Sequence, residues 1–181
     1  MKKTIKTSLQ FTKNILVTGA FKETSRKVEL EITSKLPTAE NQVFVEFGMG
    51  HGNITKQILR NISPTSKLFA FEVNETFCGH VEAEINDERL IIINDGAENL
   101  TKHVGSPVNG FISSIPFTFF SKEMSQSILL SAYEALVPDH YFHQVLYSKV
   151  HVKKFKNVFD EVQVKTLLNI PLECVYHCRK K

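Results

Sequence analysis

Apolar positions along this chain fall into two alternating rhythms. Short runs rich in Val, Ile and Phe occupy residues 42–47, 67–72, 89–94 and 109–113, and such runs predict strands. Between them the apolar residues recur at helical spacing. Ile54, Ile58, Leu59 and Ile62 share one face, as do Phe77, Val81 and Ile85, and then Met124, Ile128 and Ala132. Strands that alternate with helices predict a parallel sheet covered on both faces. Upstream, Thr24 or Ser25 is a cap for a further helix through Val28, Ile32 and Leu36 to Pro37.

The last third of the chain departs from this rhythm. Residues 141–149 read as a fifth strand. Residues 160–168 and 172–178 read as two more, joined by the turn Asn169-Ile170-Pro171, too short for a crossover helix. They are therefore expected to pair as an antiparallel hairpin. Periodicity leaves a helix open as the alternative for 160–168. The predicted fold is α/β, a Rossmann-like, mostly parallel sheet of seven strands with helices on both faces and a C-terminal antiparallel hairpin.

The N-terminal residues form a separate unit. Ile5, Leu9 and Leu16 lie together on a helical wheel, flanked by Phe11 and Ile15, with Lys2, Lys6 and Lys13 beside them. Residues 1–28 carry seven positive groups against one negative, and the remainder carries fifteen against eighteen, so a net charge of +3 divides into +6 and −3. The chain is read as a basic amphipathic arm, 1–20, followed by one domain, 21–181. A basic arm with an apolar stripe suits an anionic partner, either a membrane surface or nucleic-acid phosphate. The sequence gives no sign of an obligate protein partner.

The sharpest local signal is a strand followed by Gly48-Met49-Gly50-His51-Gly52-Asn53 and then a helix. Glycines let the backbone turn sharply and let a ligand lie against it. A dinucleotide loop has its third glycine one residue later and binds pyrophosphate. Here Asn53 stands at that position, and Glu46 precedes the first glycine by two residues, which suits a cationic ligand better. Glu72 ends the second strand, next to Val73, where a carboxylate can accept ribose hydroxyls. Asp95 ends the third strand, followed by Gly96 and Ala97, and can accept an adenine amino group. The fourth strand runs into Ser114-Ile115-Pro116-Phe117, which is expected to bring Pro116 and aromatic rings to the rim of the sheet.

Taken together, Glu46-Phe-Gly-Met-Gly-His-Gly, Phe71-Glu-Val-Asn, Asn94-Asp-Gly-Ala and Ser114-Ile-Pro-Phe117 resemble the successive motifs of class I S-adenosylmethionine (SAM)-dependent methyltransferases. More narrowly, the chain resembles the bacterial phospholipid N-methyltransferases, relatives of the ribosomal RNA adenine dimethylases. The resemblance implies SAM as cofactor, held by Glu46, Gly48, Met49, Gly50, Gly52, Asn53, Glu72, Val73, Asp95, Gly96 and Ala97. It implies Ser114, Ile115, Pro116 and Phe117 as the acceptor site, and an aminophospholipid such as phosphatidylethanolamine as substrate. The RNA enzymes carry Asn where Ser114 stands and have a further helical domain, so RNA adenine is the alternative acceptor. A methyltransferase-like protein acting on a small amine, or binding SAM without catalysis, is a third reading. Residues 17–25 look like the family's segment that closes over the cofactor, and 168–176 like its terminal hairpin.

Other features change the picture little. Cys78, Cys174 and Cys178 are too few for a disulfide framework, and His140-x-x-His143 has no third ligand at metal-site spacing, so no metal is expected. His140, His143 and Tyr147 are candidates for a proton acceptor, more readily explained as structural. His51 is expected to face solvent. No apolar run is long enough for a signal peptide or a membrane span. The expected location is cytoplasmic, with peripheral contact to the inner membrane face.

Overall fold

The computed structural model describes residues 24–105 and 107–181, so the arm expected at 1–20 lies outside the described residues. Helix α1, Arg26–Ile32, begins at Ser25, whose hydroxyl accepts the Val28 N–H. It stops short of Pro37. Thr33 and Ser34 turn their hydroxyls back onto the Glu29 and Glu31 carbonyls (2.8 and 2.7 Å), which satisfies the last turn without further helix.

Then follow β1 (Val43–Phe47), α2 (Asn53–Asn61), β2 (Lys67–Phe71), α3 (Glu75–Glu84), β3 (Leu90–Ile93), α4 (Leu100–His103), β4 (Gly110–Ser113), α5 (Lys122–Ala135), β5 (Tyr141–Leu146), α6 (Val152–Lys156), β6 (Glu161–Leu167) and β7 (Glu173–Arg179). Single-turn 3₁₀ segments precede α4 and follow β4. The sheet order is β3-β2-β1-β4-β5-β7-β6. The first five strands are parallel, and β7 pairs antiparallel with both β5 and β6.

Residues 160–168 are therefore strand, not helix, because seven of them pair in register with β7. The fifth strand ends at Leu146 instead of 149, where the chain turns toward α6.

Alternation sorts side chains to two cores. Phe44, Ile112 and Val175 face α1 and α2. Phe47, Phe111, Phe142 and Tyr176 face α5 and α6. Glu46, Ile112, His143 and His177 are neighbours in one row across four strands, so two histidines and a carboxyl sit in the same buried layer. Strand order reverses between β1 and β4, and an open parallel sheet leaves a crevice at the carboxyl ends there.

Candidate functional site

The glycine loop leaves β1 at that switch point. Gly48, Gly50 and Gly52 all have positive φ (80°, 55° and 83°), the region in which a Cβ is unfavourable. Gly48 and Met49 donate their N–H groups to the Phe71 carbonyl (2.9 and 3.1 Å), which anchors the loop to β2. A Cβ on Gly48 would meet Ile115 and Ser114 at 3.0–3.1 Å, whereas one on Gly50 would meet nothing within 4 Å. The loop is thus closed against the β4 segment at one end and open to a ligand in its middle. Met49 is buried beneath it among Ala70, Cys78 and Val81. Asn53 is the first residue of α2.

The two acids beside the loop are built differently. Glu46 is 1 % exposed. Its Oε2 accepts the Thr55 hydroxyl at 2.7 Å, and its Oε1 has no partner among the described residues. Burial pushes this carboxyl from 4.5 up to about 8, helped by the Glu72 charge and opposed by Thr55. Glu72 accepts from the Gly50 N–H at 3.0 Å and from the Asn74 N–H at 2.9 Å. Burial also raises Glu72, against those backbone donors. Asp95 is tied into its own turn by the Gly96 N–H, the Asn99 amide and the His103 ring (2.8, 2.7 and 2.9 Å), and its carboxyl is held low. Val73 follows Glu72 half-buried, and Gly96 and Ala97 are buried behind Asp95.

On the β4 side, Ser114 donates its hydroxyl to the Gly48 carbonyl at 2.6 Å. Gln144 on β5 donates to the Ile115 carbonyl at 3.0 Å. Pro116 is partly exposed at the head of the 3₁₀ turn, and its carbonyl accepts the Phe119 N–H. Of the aromatic rings expected at the rim, Phe117 is not there. Its ring is buried against Phe120 and Phe155, with the Lys154 ammonium 5.5 Å from its centre. Phe119 is the exposed ring of that segment.

The structure brings Glu46, the glycine loop, Glu72 and Ser114–Ile115 together, and places Asp95 at the neighbouring strand end. His143 and Tyr147 are not part of this cluster. His143 lies in the α1-facing layer, hydrogen-bonded to His177 (2.8 Å between Nδ1 atoms), and His177 reaches Glu31 at 3.1 Å. His140 bonds the Pro138 carbonyl. His51 packs on Phe77, ring centres 4.6 Å apart. Sequence reasoning missed Thr55, Asn94 and Gln144. Asn94 donates its amide to the Glu72 carbonyl at 2.9 Å. For Thr55 a signal existed: a polar residue on the otherwise apolar face of α2, one turn from the loop. Among the described residues, no cluster of His, Cys, Asp or Glu has metal-site geometry, and no helix is long and apolar enough to cross a membrane.

No family model matches the chain. Its sequence is similar to an ornithine lipid N-methyltransferase from Singulisphaera acidiphila, 26% identical over 159 residues, which cover 80% of this chain and 79% of that protein. In structure it is similar to an rRNA methylase from Streptococcus thermophilus (TM-score 0.68, 20% identity, 88% of this chain and 98% of that one). It is also similar to a precorrin-6y C5,15-methyltransferase from Geobacter metallireducens (TM-score 0.72, 13% identity, 87% and 90%). A third is a protein assigned as a methyltransferase from Streptococcus mutans, solved with S-adenosylhomocysteine (TM-score 0.66, 18% identity, 86% and 99%). A seven-stranded sheet of this order, with its glycine loop at the switch point, is the fold of the class I SAM-dependent methyltransferases, and in sequence the chain is similar to a lipid N-methyltransferase.

Proposed function

We propose that this protein transfers a methyl group from SAM to the amine of a membrane-lipid head group, as in an aminophospholipid or an ornithine lipid. The observation that carries the transfer is the open glycine loop set between Glu46 and Glu72 and clamped to the β4 segment through Ser114. The lipid acceptor is supported by the similarity to a lipid N-methyltransferase along four-fifths of the chain.

The residues fit SAM. A cation beside the Glu46 oxygen that has no partner among the described residues would lower that carboxyl from about 8 and bind its charged form, Gly50 presents bare backbone, and Glu72 keeps acceptor capacity for a ribose diol beyond its two backbone donors. Asp95 keeps less, since three donors already meet it. SAM supplies a methyl group activated on a sulfonium. The chain contributes position and exclusion of water. Ser114 is a positioning residue, because its hydroxyl is spent on the Gly48 carbonyl and holds the acceptor segment at a set distance from the loop. Ile115 is held from behind by Gln144. The acceptor amine attacks as the neutral base, so activity should rise with pH toward the amine's own pKa. The basic arm at 1–20 is proposed to hold the enzyme on anionic lipid.

The test supplies purified protein with radiolabelled SAM, vesicles containing phosphatidylethanolamine or ornithine lipid, and bacterial RNA. Label in lipid is the expected result. Label in RNA alone would overturn the lipid reading and make 114–117 an adenine clamp.

A further inference from the structure

Three exposed apolar side chains emerge at one end of the sheet. Leu168, in the β6–β7 turn, is 84 % exposed, and Val150 and Tyr147, in the connection after β5, are 75 % and 55 % exposed. Leu146 pairs with Cys174, and Leu167 pairs with Glu173, so these two loops leave β5 and β6, on either side of β7, at the same edge. That edge is the carboxyl end of β4 and β5, beside the 114–117 segment; Thr118 and His151 are 3.3 Å apart across it. Exposed lysines, Lys149 and Lys153, alternate with these side chains, and neither has an ion-pair partner among the described residues. No acidic residue occurs between Tyr141 and Phe159. Glu173, the nearby carboxylate, is buried and accepts from Ser25 and Asn169.

Apolar tips among unpaired lysines match the boundary of an anionic bilayer, where side chains enter the head-group layer while ammonium groups meet phosphate. Nucleic acid would satisfy the lysines and leave Leu168 and Val150 in water. We propose that this rim is a second membrane-docking surface, separate from the N-terminal arm, that presses the acceptor side of the site onto anionic lipid. The inference deepens the lipid reading and rests on it for the identity of the acceptor.

Flotation of the full chain with phosphatidylglycerol and phosphatidylcholine vesicles tests it. The double variant Leu168→Ser/Val150→Ser is expected to bind phosphatidylglycerol vesicles about tenfold more weakly. Lys149→Glu/Lys153→Glu is expected to bind about thirtyfold more weakly, with the difference fading at high salt. Both should bind SAM as the wild type does in calorimetry, and should methylate a short-chain, monomeric amine-bearing lipid at the wild-type rate. Vesicle binding equal to wild type in both variants, with the arm intact, overturns the docking surface, because the arm alone would then suffice. A smaller sedimentation coefficient in the serine variant with vesicle binding unchanged also overturns it, in favour of contact between two copies. If no lipid is ever labelled but the variants still leave the vesicles, the rim stands and the acceptor assignment falls. If lipid is labelled and the variants bind like wild type, the acceptor stands and the rim falls.

Discussion

The two halves of the sheet solve opposite problems. On the β1–β3 side, the carboxyl end is preset: buried acids, positive-φ glycines and backbone N–H groups already meet one another at 2.7–3.1 Å around the open middle of the loop. On the β4–β7 side, the same end is open, with exposed Leu and Val among lysines that have no ion-pair partner among the described residues. A small cofactor needs a preset cavity, whereas a large, soft acceptor needs a surface. The two ends lie along one edge of one sheet, on either side of the point where the strand order reverses between β1 and β4.

That contrast can be broken in several places. Phe117→Ala removes a ring wedged between Phe120 and Phe155 and should cost about 3–5 kcal/mol in chemical unfolding. Gly48→Val forces a β-branched residue to φ +80° against Ile115 and should cost about 2–4 kcal/mol and abolish SAM binding in calorimetry. Glu46→Gln should stabilise the ligand-free chain by about 2 kcal/mol above pH 8 and change little below 4.5. The sign follows from the raised folded value: Glu46 binds its proton in the folded chain more tightly than in the unfolded one, so its contribution is lost as pH climbs from 4.5 through about 8.

The β4–β7 half has the reverse pH dependence. Burial holds His143 well below its ordinary 6.5, aided by His177 and Lys35. Burial lowers His177 as well, against Glu31 and with Lys35; Lys165, which pairs with Glu31, and the stacked Tyr141 complete the surroundings. Unfolding takes up protons here, so this half loses stability as pH falls below 6.5. Between pH 7 and pH 5, where Glu46 works in the opposite direction, the melting temperature of the wild type should drop by several degrees relative to that of His143→Phe. The smallest effect is Leu168→Ser, within about 0.5 kcal/mol of wild type, since its side chain is already in solvent.

Much of this was legible from neighbours in sequence. Apolar runs and turn signals marked the strands within two or three residues of their ends, with only 160–168 left open to a helix, and the run from Glu46 to Asn53 announced a ligand loop, because short apolar runs and a glycine's positive φ are local properties. The helix of 160–168 was ruled out only by pairing with β7, since a seven-residue segment has no pattern strong enough to choose. The sequence placed the aromatic rings after Pro116 at the rim without telling one from another; that Phe117 turns inward and Phe119 outward depends on Phe155 and Lys154, which come from α6.

By itself the sequence determined the strands other than 160–168, where the loop lies and which acids accompany it. Tertiary structure alone decided that Ser114 reaches Gly48 across 66 residues, that His143 and His177 pair across 34, and that Val150 and Leu168 emerge at one edge. The physical reason is that turns and periodicity are set by adjacent dihedral angles, whereas the meeting of distant side chains is set by strand order and register, which only the packed sheet establishes.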